Sequence, residues 1–174
     1  MTVHEPVCEF RRRQQSAPGR KKREVGMAVK PIPEGYHTVT PYLIVDGAAN
    51  ELIEFTKRAF GAEETVRMPG EGGTVAHAEI RIGSSIVMLS DGPSESRPTS
   101  AMLHLYVNDA DAVYRRALEA GATSVRAPAD QFYGDRSGGV RDAFGNQWWL
   151  ATHVEDLSPE EIEKRRAALA GGGS

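Results

Sequence analysis

The chain has 174 residues, 40% of them hydrophobic and 26% charged, with a formal net charge of -3; that suffices for one ordinary domain with a core, or two small units sharing one sheet, and excludes two large domains. No apolar run approaches the roughly 20 residues of a membrane span, and the slightly acidic balance gives no reason to expect nucleic acid as a partner of the whole chain, so neither membrane nor nucleic acid is expected. The one cysteine, Cys8, cannot form an internal disulfide, and a reducing, cytoplasmic setting is the default.

In chain order, residues 1–30 form a basic extension carrying Arg11, Arg12, Arg13, Arg20, Lys21, Lys22 and Arg23 with almost no apolar pattern, and they are expected to be disordered. One reading makes them an arm for nucleic acid or a membrane surface, the other a dispensable extension. No apolar stretch follows the basic cluster, so a secretory signal is not expected, and Met27 is an alternative start.

Patterning begins at Tyr36. PYLIVDGAANELIEFTKRAFGAEETVRM and LHLYVNDADAVYRRALEAGATSVRAP repeat one plan. Each opens with an alternating strand ending in valine, continues with Asp or Asn as a helix cap, and runs a helix of about three turns closed by Gly61 or Gly121. Ala48, Leu52, Phe55 and Ala59 in the first helix, and Val113, Ala117, Leu118 and Ala120 in the second, form apolar stripes that must cover a sheet. Module 1, about 36–92, continues with strands near 63–68, 76–82 and 85–90, the last two joined by a Gly83-Ser84 turn. Module 2, about 100–156, continues near 124–127, 138–140 and 146–152. The order β-α-β-β-β thus appears twice in a domain spanning 31–156.

Alternation assigns the faces. Val39, Leu43 and Val45 suit the helix, with Thr38, Thr40, Tyr42 and Ile44 opposite. Leu103, Leu105 and Val107 suit the second helix, with Met102, His104 and Tyr106 opposite. In the last strand Trp148, Leu150 and Thr152 share one face, and Gln147, Trp149, Ala151 and His153 the other. These opposite faces mix aromatic, thioether, hydroxyl and imidazole groups, as small-molecule pockets do. Residues 158–169, SPEEIEKRRAAL, place Ser158 as N-cap, Pro159 at the first helical position and Glu161 in a capping box. They predict a charged helix over 157–170 that docks weakly or packs on a partner subunit, followed by a flexible GGGS tail over 171–174.

The stretches PYLIVDGAANELIEFTKRAFGAEE, HAEIRIGSSIVMLSD, LHLYVNDADAVYRRALEAGA and DQFYGDRSGGVRDAFGNQWWLATHVED together resemble the vicinal oxygen chelate superfamily, which includes glyoxalase I, bleomycin-resistance proteins and extradiol dioxygenases. The similarity is greatest to its PhnB-like, glyoxalase-like branch. Most specific is the Tyr-Gly-Asp-Arg turn followed by Asp-x-Phe-Gly-x-x-Trp. The resemblance implies an α+β fold of paired βαβββ modules forming a cupped, incompletely closed mixed sheet around a cavity, usually within a homodimer. In metal-dependent members, four ligands from the first and last strands of each module hold a Lewis-acid metal for vicinal oxygens. Carried over by strand position, those sites hold Thr40, Met88 or a neighbour, Met102 and Trp149. None offers the imidazole or carboxylate that such metals take, and Trp149 stands where glyoxalase I carries its carboxylate base. No cofactor is therefore expected, and glyoxalase I activity is disfavoured.

Other candidates come from the residues themselves. His77 and Glu79 share a strand face with Arg81, as a metal pair, an acid/base pair, or a solvated or interface charge ladder. His104 is a general base or ligand anchor, or a hydrogen-bonded histidine in a cavity wall. His153 ends the last strand. His77, Glu79, His104 and His153 together are the alternative site for a divalent metal, Zn, Ni, Mn or Fe. Phe132, Tyr133, Asp135 and Arg136 are expected in a glycine-bracketed loop, where Arg136 offers a fork for carboxylate or phosphate and Tyr133 a stacking surface. In the competing reading they fasten the loop, with Arg141 or Asp142 in a surface network of little energetic weight. Two functions follow. One is a protein of the bleomycin-resistance kind that binds a small molecule in a dimeric, aromatic-lined cavity, using Thr40, Tyr42, Met88, Met102, His104, Tyr106, Phe132, Tyr133, Arg136 and Trp149. The other is an enzyme of the superfamily, lyase or oxygenase in type, with a relocated metal or acid/base site at His77, Glu79 or His104.

Overall fold

A computed structural model describes residues 30–92 and 98–171. The expectations for the basic extension up to residue 29, for Cys8 and Met27, and for the last three residues of the tail lie outside the described residues. The chain divides into Met1–Pro31 and Ile32–Ser174, and the second unit holds all the described helices and strands.

Two β-α-β-β-β modules follow one another. The first comprises β1 (Tyr42–Ile44), α1 (Ala49–Phe60), β2 (Glu63–Pro69), β3 (Val75–Ile82) and β4 (Ser85–Ser90); the second comprises β5 (Met102–Tyr106), α2 (Ala110–Glu119), β6 (Thr123–Asp130), β7 (Asp135–Arg141) and β8 (Gln147–His153). Each builds its own four-stranded sheet, in the orders β1-β4-β3-β2 and β5-β8-β7-β6. In both, the first strand lies parallel to the last while the other pairs are antiparallel. A parallel pair cannot be closed by a hairpin, so the helix and two strands intervene. The sheets are mixed and not closed, as the resemblance implied.

Each helix covers one face of its sheet. Leu52, Ile53, Phe55 and Ala59 of α1 and Ala110, Val113 and Ala117 of α2 are buried, against Leu43, Ile80, Leu89, Val140, Trp148 and Leu150 from the strands. Each large side chain of this kind contributes about 1.5–3 kcal/mol by leaving water. The helix caps partly depart from expectation. Asp109 caps α2 by accepting from the Ala112 amide at 2.9 Å, but Ala48 precedes α1 with no side-chain cap. Asp91, just past β4, supplies it, accepting the Ala49 amide at 2.7 Å and the Val75 amide at 2.6 Å. Thr152 Oγ1 takes the Ala110 amide at 2.8 Å in the equivalent place of the second module. At the other ends the helices cap each other: Arg58 donates to the Ala120 carbonyl and Arg116 to the Ala59 carbonyl, each at 3.3 Å. Carbonyls left unpaired by a helix terminus are thus met by cations, which the helix dipole favours there.

Four expectations need correction. The first strand does not begin at Thr38: β1 starts at Tyr42 because Pro41 has no amide to donate, and Val39, expected to face the helix, is 81% exposed. Asp135 and Arg136 are not loop residues but the first two of β7, since β8 continues to His153 and pairs with them. Asp142 belongs to no surface network. It is buried, and at 2.9 Å each it accepts from the amides of Phe144 and Asn146, from Asn146 Nδ2 and from Trp148 Nε1. One carboxylate therefore organises the whole Asp-x-Phe-Gly-x-x-Trp turn. Finally, the helix α3 (Pro159–Gly171) makes only half of its capping box: Ser158 Oγ accepts the Glu161 amide at 3.2 Å, while the Glu161 carboxylate turns to Arg165 at 3.0 Å. Arg165 also grips Glu155 through two bonds of 2.8 and 2.9 Å, which ties the helix to the exit of β8.

Candidate functional site

The faces opposite the helices carry the candidate chemistry. Strand register aligns one row across each sheet. In the first module it reads Tyr42, Met88, Glu79, Val66; in the second, His104, Trp149, Gly139, Arg126. Side chains in such a row are direct neighbours, and the two rows are equivalent strand for strand. Their chemistry differs completely.

In the first module Glu79 is 7% exposed. Buried carboxylates need partners, and this one has two. Tyr36 donates its phenol to Glu79 Oε2, and His77 Nε2 lies 3.3 Å from Oε1. Tyr42 Oη stands 3.2 Å from the other ring nitrogen, His77 Nδ1. The hydrogen bond to Glu79, then burial, hold the Tyr36 phenol above its usual pKa. His77 and Glu79 are therefore a hydrogen-bonded pair flanked by two tyrosines, with Met88 alongside. Tyr36, which lies before β1, was not singled out in the sequence, because nothing in local spacing signals a contact across 43 residues.

In the second module Gly139 takes the place of Glu79. A β-carbon there would stand 3.1 Å from the Trp149 ring, so the missing side chain lets the indole lie close to the sheet. Arg126 stacks on the outer side of that ring, its Cζ 4.5 Å from the centroid, and one guanidinium nitrogen donates to Ser137 Oγ at 2.9 Å. Met102 and Tyr106 are each 68% exposed, and His104 packs beside Tyr106 with ring centroids 5.0 Å apart. Arg126 and Gly139 do not stand out in the sequence as site residues. Alternation along 124–127 and the Gly138-Gly139 pair were the available signals.

A second polar cluster closes the far end of this face. Asp135, 3% exposed, accepts from Tyr106 Oη at 2.9 Å and meets His153 Nδ1 at 2.8 Å; His153 Nε2 meets Asp156 at 3.0 Å. The Asp135 hydrogen bond, followed by that of Asp156, raises the His153 pKa, as two carboxylates must. Arg136 points to the helix side, where it pairs with Asp111 of α2 and, at 3.0 Å, with Asp130. Phe132 and Tyr133 sit edge to face, centroids 5.2 Å apart, in the turn before β7. A separate cleft of about 780 Å³ is lined by Pro41, Phe60, Ile82, Leu105, Val107 and Arg116, and also reaches His104 and Tyr106.

The positions at which the superfamily holds a metal offer poor donors in this chain. Thr40 bonds to the His37 carbonyl at 3.0 Å, Met88 and Met102 offer thioethers, and Trp149 donates to Gln147 at 3.3 Å and has no lone pair to give. This set does not fit zinc, nickel, manganese or iron. Among the described residues no three side chains of His, Cys, Asp or Glu are arranged to hold a metal ion, so His77, His104 and His153 form no such group within one chain.

The sequence profile of the Glyoxalase/Bleomycin resistance protein/Dioxygenase superfamily matches residues 37–150. The uncharacterized protein Mb0911c of Mycobacterium bovis is 41% identical over 145 residues, covering 77% of this chain and 95% of its own. Among solved structures, TioX from Micromonospora is similar with a TM-score of 0.56 and 25% identity, over 67% of this chain and 99% of TioX. The PhnB protein from Bacillus cereus shares the fold with a TM-score of 0.53 at 19% identity, over 67% of this chain and 99% of its own.

Proposed function

This chain belongs to the Glyoxalase/Bleomycin resistance protein/Dioxygenase superfamily, and from that premise we propose that it binds a small organic molecule on the open faces of its sheets, as a cytoplasmic homodimer, without metal at the four positions the superfamily uses. One observation carries the reading: Tyr42, Met102 and Tyr106 are 46%, 68% and 68% exposed on sheet faces that no layer formed by the described residues covers. Sheets bury one face and leave the other to water or to a partner, and large apolar groups on the uncovered face mark an interaction surface. A second copy laid over these faces would enclose walls of aromatic, thioether and hydroxyl groups, the usual lining of a ligand cavity. Thr40, Tyr42, Met88, Met102, His104, Tyr106 and Trp149 would line it, with Phe132 and Tyr133 at its rim. Arg136 drops out, because its fork is engaged by Asp111 and Asp130.

A second reading rests on the Tyr42–His77–Glu79 arrangement: a histidine held by a carboxylate within hydrogen-bond reach is how a general base is built. In that case the protein is an enzyme of the superfamily whose acid/base work has moved to the third strand of the first module.

Sedimentation velocity over a range of concentrations, combined with a thermal-shift screen of small organic molecules, tests the first reading, because a ligand that binds only the folded state raises the melting temperature. A monomer at all concentrations, or a chain that no compound stabilises, counts against it. Metal analysis of the purified protein is the companion measurement; stoichiometric Zn, Ni, Mn or Fe that is lost in His77→Ala overturns the metal-free part. Product formation abolished by His77→Ala, with binding retained, would establish the second reading.

A further inference from the structure

Among the described residues Arg126 carries a charge without a counter-charge. Arg136 is engaged by Asp111 and Asp130, and Arg165 by Glu155 and Glu161. Among the described residues Arg126 forms no ion pair, and its one hydrogen bond goes to the neutral Ser137 hydroxyl. It is nevertheless held in place. The indole of Trp149 supports one face of the guanidinium at 4.5 Å, and Ser137, itself fully buried, fixes one nitrogen. The indole in turn is seated by Gly139. A guanidinium clamped in this way keeps most of its N–H donors free in a fixed plane, and that plane matches the two oxygens of a carboxylate or phosphoryl group. Stacking and the Ser137 bond remove in advance much of the side-chain entropy that binding would otherwise cost.

We propose that Arg126, stacked on Trp149 over Gly139, is the anchor for an oxyanion on the ligand, so that the molecule bound by this protein is an organic acid with a flat apolar portion. The inference rests on the proposed binding role of the open face and specifies its ligand. Position supports the pairing of acid and flat body: His104 follows Trp149 in the same row on the side away from Arg126, so a flat portion extending from the fork along the row would meet the imidazole ring. The equivalent row of the first module cannot do this, because Val66 stands in the place of Arg126 and the carboxylate of Glu79 in the place of the glycine. It would repel an anion. The two halves of the fold have therefore diverged into an anion-accepting and an anion-rejecting surface, which orients an acidic ligand.

The test uses the full chain with naphthoate as probe and naphthamide as its neutral isostere, read by tryptophan fluorescence and by melting temperature against each variant's own unliganded value. Naphthoate should bind the unaltered protein about tenfold or more tightly than naphthamide, and Arg126→Gln should remove that difference while leaving naphthamide binding in place; Arg126→Lys should restore part of it. Displacement of naphthoate by inorganic phosphate more than by acetate at equal ionic strength would identify a phosphoryl group as the preferred oxyanion, and the reverse order a carboxylate. Equal binding of acid and amide, a preference that survives Arg126→Gln, or displacement no better than by chloride overturns the anchor but leaves the open face as a binding surface. If neither probe binds, both the anchor and the binding role fall.

Discussion

Trp149 lies over Gly139 at a spot where a β-carbon would come within 3.1 Å of the indole ring, yet the adjacent glycine, Gly138, faces backbone instead: its β-carbon would meet the Pro128 nitrogen at 2.7 Å and the Arg126 carbonyl at 2.9 Å. The two glycines answer different needs. One seats a side chain on the open face, and the other lets β6 approach β7.

This difference is measurable. Gly139→Val should push the indole away, change the Trp149 emission and weaken any ligand that stacks there, at a stability cost near the lower end of the about 1–3 kcal/mol of overpacking, because an indole can move. Gly138→Val meets backbone that cannot, and should cost about 3 kcal/mol or more. Chemical denaturation of both variants checks the order, and equal losses would contradict it.

Asp142 is the second test. Its removal by Asp142→Ala leaves the Trp148 Nε1 and the Asn146 side chain without their acceptor in the core, and orphaned buried donors cost about 1–3 kcal/mol each. A loss of at least about 3 kcal/mol is expected in urea unfolding. Asp130→Ala, which touches only an exposed pair with Arg136, should lose less than about 1 kcal/mol.

These cases show what the sequence makes legible. The doubled module, both helices and the faces of β5 and β8 follow from periodicity, since alternation and helical spacing are local. Alternation alone puts Met102, His104, Tyr106 and Trp149 on the face opposite the second helix. Contacts between distant strands are not local. Tyr36 on Glu79, Arg126 on Trp149 and Asp91 on α1 depend on register, which alternation does not fix. The Asp-x-Phe-Gly-x-x-Trp turn was conspicuous because its residues share one buried carboxylate, and the same pattern in a sequence is silent on whether it faces a ligand or the core.

Gly134 gives a third comparison. Its φ of 96° suits glycine, and a β-carbon would lie 2.2 Å from the Glu155 carbonyl oxygen, while its own carbonyl accepts the amides of Val154 and Glu155 at 2.9 and 3.0 Å. Gly121, with φ 107°, has nothing within 4 Å. Gly121→Ala should therefore show only the cost of the left-handed backbone, about 1–2 kcal/mol, whereas Gly134→Ala adds a clash with main chain and should lose clearly more. It should also loosen the joint between β8 and α3, visible as faster amide exchange at Val154 and Glu155.

The pH dependence of the second polar cluster follows from His153. Both ring nitrogens face carboxylates, Asp135 at 2.8 Å and Asp156 at 3.0 Å, so the folded protein binds the imidazole proton more tightly than the unfolded chain, whose histidine titrates near about 6.5. A pKa raised by folding means stability that is complete below the unfolded value and is lost as pH rises through the folded one. The melting temperature of the unaltered protein should thus exceed that of His153→Gln most below the unfolded histidine value and converge on it as pH rises through the folded one. Over this range Tyr106 keeps its proton on Asp135, because that hydrogen bond raises the phenol above its usual value, so the change reports His153 and not its neighbour. A melting difference that stays constant across this range, or an NMR titration placing His153 at or below the ordinary histidine value, would contradict the ion pairing.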